Sequence, residues 1–360
     1  MKNSKVIFLF LILVGSISII PSCNQNSTNN TRVKVFQKTG PIMGTSYQIK
    51  ISSYQQDQTT KSQSRHLLNQ AYGQLKLVDT LMSSYKKDSD IGRFNNAKVG
   101  EKIYIDGHTA YVIEKALEIH KSSLGAFDIT IGSLVNKWGF GPSPTSPMVP
   151  KNSHIQQTLK SVGIDSFSIN LDTSLNKFYL VKLVDGVELD LSAIAKGYSL
   201  DLVAKLFDDQ QIYNYFIDVG GEIRTKGMKE ETMPWKVVLE LPIELKHEIA
   251  KIIHPKNISL ATSGNYRNFF VHNKKLIHHT IDPKTGHPAE NTLGSITVAH
   301  ADCMIADAWA TALNVLGLDK GLEVAKKFNL DVLFIIKKGT QYANEFEYIY
   351  TGKFKELIGH

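Results

Sequence analysis

Residues 187–207 read VELDLSAIAKGYSLDLVAKLF, and the change of period inside this stretch decides how the chain is built. Val187, Leu189 and Leu191 alternate as in a strand. Leu191, Ile194, Tyr198, Leu202 and Leu206 then recur at the three- and four-residue steps of one helix face. Asp190 or Ser192 stands where an N-cap oxygen would meet the unpaired amides of the first turn. Two residues go against this order. Lys196 lies close to the positive end of the helix dipole. Gly197 sits inside the helix, where it costs about 1 kcal/mol against Ala. An anion at the helix N-terminus would offset the lysine and, by approaching the backbone closely, explain the glycine. An exposed lysine beside a glycine packed on a neighbouring helix explains them equally well, so the stretch leaves both readings open.

The chain's 360 residues, 42% hydrophobic and 21% charged, suit one large globular domain or two small ones. Its net charge is +7, about +5 without Lys2 and Lys5, and the basic residues form no dense block. That mild balance fits anionic small molecules as well as nucleic acid, and with no dense basic block nucleic acid is not expected as a partner. Lys2 and Lys5 precede the apolar run VIFLFLILV at 6–14, the n- and h-regions of a signal peptide over residues 1–22. Ile20-Pro21-Ser22-Cys23 resembles a lipobox, which makes Cys23 the expected site of lipidation; a plain secretory leader with an incidental cysteine is the alternative. Cys23 and Cys303 are the only cysteines, so no disulfide framework is expected. NQNSTNNT at 24–31 reads as a polar tether, within an expected linker of residues 23–32, and residues 33–355 as one domain. The expected location is the bacterial cell envelope, with the domain held off a membrane surface by a lipid anchor.

Working outward, residues 33–52 read as a hairpin turning at Gly40-Pro41, with Gly44 permitting a tight backbone and Met43 suited to simple core packing. Helical periodicity covers 66–82 and 109–123, and GAFDITIG at 125–132 looks extended. Asp128 inside it would be either a cap for local amides or a ligand contact. Prolines at 142, 144 and 147 exclude helix and central strand from the loop that follows. Strands are expected at 166–171, 177–181, 214–219, 235–241, 256–262, 295–299, 331–336 and 347–350, and a helix at 301–316. Gly220-Gly221 before Glu222 suggests a turn whose main chain lies against something. This irregular mixture, with no repeat and no interdomain linker, predicts an α+β fold of mixed sheets with packed helices.

The clearest chemistry lies in the last helix. Asp307 and Thr311 are four residues apart, so their oxygens share a face, and a carboxylate with a hydroxyl makes hard ligands suited to Mg²⁺. A solvated Asp with a Thr bonded back to its own helix is the bland alternative. Phosphate-loop, dinucleotide-fingerprint, His-Glu-x-x-His and Cys-x-x-Cys patterns are all missing, which disfavours P-loop, Rossmann and zinc chemistry. His278-His279 supplies a candidate proton acceptor, or two strand residues at the surface.

Eight segments now stand in order: Met43-Gly44-Thr45, GAFDIT (125–130), WGFG (138–141), DLSAIAKG (190–197), DVGGE (218–222), TSGNYRNFF (262–270), HTIDPKTGHP (279–288) and ADAWAT (306–311). Together they resemble the FAD:protein FMN transferase family, also called ApbE, over nearly the whole of the chain after the tether. The resemblance implies a single ApbE-like domain, with a T-fold-like arrangement among the expected forms, that cleaves FAD with Mg²⁺. It further implies a domain on the periplasmic side of the membrane and transfer of FMN through a phosphoester to a Ser or Thr of an exported acceptor flavoprotein, with release of AMP. Asp307, Thr311 and the carbonyl of Ala193 match the family's Mg²⁺ ligands. Met43, Tyr85, Ala126, Phe127, Asp128, Asp190, Lys196 and Ile281 match positions that line FAD. Tyr85 stands where some members carry Trp. His279 matches the histidine proposed to take the hydroxyl proton. Two rivals remain, an Mg²⁺-dependent FAD pyrophosphatase and a non-enzymatic flavin-binding lipoprotein.

Overall fold

The computed structural model describes residues 34–53, 61–142, 148–244, 246–266, 268–273, 275–290, 292–338 and 345–358. The expected leader, Cys23 and the tether lie outside the described residues, as does part of the proline-rich loop.

The first hairpin pairs β1 (Lys34–Ile42) with β2 (Thr45–Ser53) through a two-residue turn, Met43-Gly44. Both turn residues have positive φ, 49° and 71°, as a turn matched to strand twist requires. The expected turn at Gly40-Pro41 is absent. Both residues lie within β1, which is an edge strand, where a proline lacking N–H leaves no ladder bond unmade.

The first half of the chain continues with α1 (Lys61–Met82), α2 (Asp90–Asn96), β3 (Lys102–Ile105), α3 (Gly107–Ser122), α4 (Gly132–Lys137) and α5 (Asn152–Leu159). Next come β4 (Phe167–Asp172), β5 (Lys177–Lys182) and α6 (Ser192–Asp209). A run of strands follows: β6 (Tyr215–Val219), β7 (Glu222–Lys226), β8 (Met228–Glu230), β9 (Met233–Pro234), β10 (Val237–Glu240) and β11 (Ile249–Ile253). The chain then forms β12 (Ile258–Gly264), β13 (Phe269–His272), β14 (Lys275–His278), β15 (Leu293–His300), α7 (Cys303–Lys327), β16 (Asp331–Lys338) and β17 (Glu345–Thr351).

Eight of these strands make one sheet in the order β1-β2-β6-β7-β12-β15-β16-β17, antiparallel at every pairing. Successive side chains of a strand face opposite ways. Ala261, Ile296, Val298 and Phe334 pack on the α6–α7 side, whereas Leu260, Ala299, Leu333 and Ile335 pack with Trp235, Val237 and Leu239. The helices α6 and α7 lie on one face and the β10–β11 hairpin on the other, an α+β arrangement as expected; the three-stranded sheet β3-β5-β4 joins the core on the helix side.

Three local expectations change. Residues 187–191 bury Val187, Leu189 and Leu191 as the alternation predicts, yet they form only a single bridge, Glu188 to Ile131. Their backbone is satisfied otherwise: Asn95 accepts from Leu189 N–H and donates to its carbonyl, and Asp190 N–H donates to Ile129 O. Alternation reports burial; a ladder also needs a neighbouring strand. GAFDITIG is likewise turns rather than a strand, with α4 starting at Gly132. The predicted helix at 301–316 runs on to Lys327 across a break at Gly317, whose φ of 73° and ψ of −174° no helix contains.

Candidate active site

The centre of the molecule is the crossing of α6 and α7. A Cβ on Gly197 would meet the carbonyl oxygen of Cys303 at 2.4 Å and Cα of Met304 at 2.7 Å, so only glycine lets these backbones come so close. This corrects the reading that an approaching anion explains Gly197; helix packing does. The crossing brings Asp307 against α6, where its Oδ2 accepts from Gly197 N–H at 3.1 Å. Lys196 Nζ lies 3.5 Å from the same oxygen, 3.7 Å from Glu222 Oε1 of β7, and donates to Ser192 O at 2.8 Å. Two buried carboxylates thus neutralise the lysine that the dipole disfavours. Burial alone would lower the Lys196 pKa, but Asp307 and Glu222 outweigh it and raise it. Burial pushes both acids upward, and the lysine opposes that shift.

The start of α6 also differs in detail. Leu191 is its N-cap and offers no side-chain bond; Asp190, one residue earlier, accepts from Ser192 N–H at 2.8 Å. Asp201 on α6 performs the matching service for α7. Its two carboxylate oxygens accept from Cys303 N–H at 2.8 Å and Met304 N–H at 2.9 Å, and Arg224 pairs with it at 3.1 Å.

Every expected site residue among those described lines one cavity of about 1510 Å³: Met43, Tyr85, Ala126, Phe127, Asp128, Asp190, Ala193, Lys196, His279, Ile281, Asp307 and Thr311. Met43 reaches it from the tip of the first hairpin, in a positive-φ conformation unusual for its type. Tyr85 is 66% exposed at the rim, its hydroxyl donating to Phe140 O at 3.2 Å. Asp128 both lines the cavity and satisfies local groups, accepting from Thr130 N–H at 2.8 Å and Thr130 Oγ1 at 2.6 Å. Thr311 Oγ1 makes no hydrogen bond with the described residues, so the back-bonding alternative does not hold.

The loop carrying His279 and Ile281 is held from two sides. Buried Trp138 donates Nε1–H to Gly286 O at 2.8 Å, and Ile281 packs with Leu134, Trp138 and Ile155. On the other side Asn314, one turn beyond Thr311, donates to Ser263 Oγ at 3.0 Å and Asn265 Oδ1 at 2.9 Å, with Thr280 completing the cluster. His279 Nδ1 donates to Asn268 O at 3.2 Å, which leaves Nε2 as the basic nitrogen. Its ring stands edge-on to Phe140 at 6.3 Å. Burial lowers its pKa, so the ring is neutral at pH 7. The adjacent His278 is a core residue, 8% exposed, with Nε2–H donated to Ala289 O at 3.0 Å.

Glu222, Asn314, Phe140 and Asp201 had no predicted role. Glu222 alone carried a signal, an acid directly after a two-glycine turn.

The donors present suit a hard cation. Asp307, Thr311 and the Ala193 carbonyl are all oxygen groups, no described residue donates to Asp307 Oδ1, and Gly197 N–H, which a regular helix would give wholly to Ala193 O, is shared with Asp307. One carboxylate with neutral oxygens is a donor set that fits a hard divalent cation such as Mg²⁺. Among the described residues no group of three or more His, Cys, Asp or Glu gathers as a metal cage.

The ApbE family model matches residues 43–334. The FAD:protein FMN transferase of Haemophilus influenzae is 40% identical over 306 residues, covering 84% of this chain and 87% of that protein. The Vibrio cholerae protein of the same name is 35% identical over 328 residues, covering 91% and 93%. The solved structure of the flavin transferase ApbE from Vibrio cholerae superposes with a TM-score of 0.79 at 34% identity, covering 91% of this chain and all of that one. The apo flavinyl transferase ApbE of Pseudomonas stutzeri gives 0.79 at 31% identity, with 92% and 98% covered. A model spanning most of the domain, relatives above 30% identity across nearly their full length, and one shared fold lead to one conclusion: this chain belongs to the ApbE family.

Proposed function

We propose that this chain is a flavin transferase that moves the FMN half of FAD onto a Ser or Thr hydroxyl of an acceptor protein, using Mg²⁺ and releasing AMP. The observation that carries it is the convergence of Lys196, Asp307, Thr311 and His279 on one cavity with apolar walls. Asp307, Thr311 and the Ala193 carbonyl would hold Mg²⁺, which when bound would supply Lewis-acid neutralisation of charge on the pyrophosphate. Lys196, fixed as a cation by its two carboxylates, adds positive charge where negative charge builds in the transition state. Met43, Phe127 and Ile281 offer apolar walls to the flavin or adenine rings, Tyr85 an aromatic face at the rim. Ala126, Asp128 and Asp190 complete that end. In the transfer the acceptor oxygen bonds to the FMN phosphorus and the anhydride P–O bond breaks. The hydroxyl proton passes to Nε2 of His279, and AMP departs with the bridging oxygen.

Incubation with FAD, Mg²⁺ and an acceptor, followed by intact mass, tests this. An FMN mass gain that disappears in Asp307→Ala is the expected result. Free FMN and AMP without mass gain would make the protein a pyrophosphatase; intact FAD under all conditions would make it a flavin carrier.

The leader and Cys23 support a lipid anchor that presents the domain to envelope flavoproteins. Fatty-acid labelling abolished by Cys23→Ser would be the expected outcome; labelling that persists would move the lipid to another residue, and an unlabelled parent would remove the anchor.

A further inference from the structure

The cavity is larger than the roughly 300–1,000 Å³ of an ordinary small-molecule site, and the residues assigned to FAD and Mg²⁺ account for only part of its wall. Much of the rest is a notch in the main sheet. β7 pairs with β12 only at Ile258–Leu260, because the β6–β7 hairpin turns back at Gly220-Gly221. β12 runs on to Gly264, paired there with β15 on its other side alone. Among the described residues no strand covers the free edge at 261–264. Gly221, Leu260, Thr262 and Gly264 border this notch and line the same cavity as Lys196 and Asp307.

A second feature stands at its inner end. Glu222 is 5% exposed, and its Oε2 has no hydrogen-bond partner. An open strand edge presents a row of unpaired N–H and C=O groups. A buried carboxylate oxygen without a donor is costly to leave unsatisfied. Both are met by one kind of occupant, an extended polypeptide, whose backbone alternates donors and acceptors at the strand repeat. FAD carries no such row. FAD is also assigned to the end formed by Tyr85, Phe127 and Ile281, so a second substrate needs another approach.

We propose that the acceptor segment bearing the target hydroxyl adds as a short strand to the free edge of β12 at residues 261–264, donating one N–H or O–H to Glu222 Oε2. The inference rests on the transferase reading and specifies how its protein substrate is held. Main-chain bonds along the edge then supply affinity with little dependence on sequence, while the Lys196–Asp307 end places the hydroxyl beside the phosphorus.

The test uses short synthetic peptides with one central threonine in degenerate flanks, incubated with FAD and Mg²⁺ and read by mass for added FMN. Peptides that become labelled are remade with single backbone N-methylations. An added strand points every second N–H at β12, so methylation at alternate positions is expected to reduce labelling at least tenfold (~1.4 kcal/mol), with the intervening positions near unchanged. Hydrogen exchange with FAD but without Mg²⁺ is expected to show alternate amides of residues 261–264 protected by peptide. Labelling that is indifferent to N-methylation, or equally sensitive at all positions, overturns the strand geometry and leaves the transferase reading intact. Cleavage of FAD with no peptide labelled overturns both. Protection confined to β13 and β14 overturns the location.

Discussion

Gly197→Ala sets two effects of opposite sign against each other. Ala in place of Gly inside a helix ordinarily stabilises by about 1 kcal/mol. Here the new Cβ would lie 2.4 Å from the Cys303 oxygen and 2.6 Å from its carbon, where ordinary contacts begin at 3.4 Å. The obstacle is backbone, so no side chain can rotate away and α6 and α7 must separate by about 1 Å. Overpacking of that kind costs ~1–3 kcal/mol. The same movement stretches the 3.1 Å bond from Gly197 N–H to the Asp307 carboxylate, a charge-assisted bond worth ~1.5–3 kcal/mol. The net expectation is a loss of roughly 2–4 kcal/mol. A shift near 1 Å between Lys196 and Asp307 should also lower turnover of FAD, by up to ~100-fold. Urea unfolding gives the first quantity and steady-state AMP release the second. Gly73→Ala in α1 is the control: nothing lies within 4 Å of its Cβ, so it should gain up to about 1 kcal/mol. If Gly197→Ala matched or exceeded the parent in stability and kept its turnover within twofold, the close crossing would not be the reason for this glycine.

Other changes probe the remaining supports. Lys196→Met leaves Asp307 and Glu222 buried without their cation and should destabilise the fold by ~3 kcal/mol or somewhat less, since the lysine is 25% exposed; turnover should fall with it. Stability unchanged in thermal unfolding would contradict the pairing. Asp201→Ala removes the acceptor of two amides at the start of α7 and should cost ~1–2 kcal/mol in urea unfolding, while an unaltered midpoint would show the cap to be idle. Burial depresses His278 to about 4 from the ordinary 6.5. The unfolded chain therefore binds a proton that the folded one refuses, and stability is full above pH 6.5 and declines as pH falls toward about 4. His278→Gln keeps a donor for Ala289 O and should flatten that limb in pH-dependent melting; a limb of undiminished slope would assign it to other groups.

Much of the molecule follows from local rules. The alternation of Val187, Leu189 and Leu191 and the strands at 214–219, 295–299 and 331–336 depend on near neighbours in sequence, and the structure realises their burial. The helix expected from the step through Ile194 and Tyr198 also forms, but Leu202 and Leu206 are only partly buried, and Leu200, Val203, Ala204 and Phe207 carry its inner face there. Turns were less legible. Gly40-Pro41 carried the stronger turn composition, yet the chain turns at Met43-Gly44, because a proline is harmless on a sheet edge and sheet order is a tertiary fact. α2 and β3 escaped periodicity through shortness, with seven and four residues.

The sequence by itself determined the composition of the site: a lysine and glycine where a helix begins, and an Asp and Thr on one face of a later one. It could not say that these helices cross within van der Waals limits at Gly197, or that Glu222, from a strand between them, joins Asp307 around Lys196. Nor could it show a strand edge left open beside them. Those outcomes depend on contacts between residues more than a hundred positions apart, such as Gly197 and Asp307, 110 apart, which only the packed sheet and its two helices bring together.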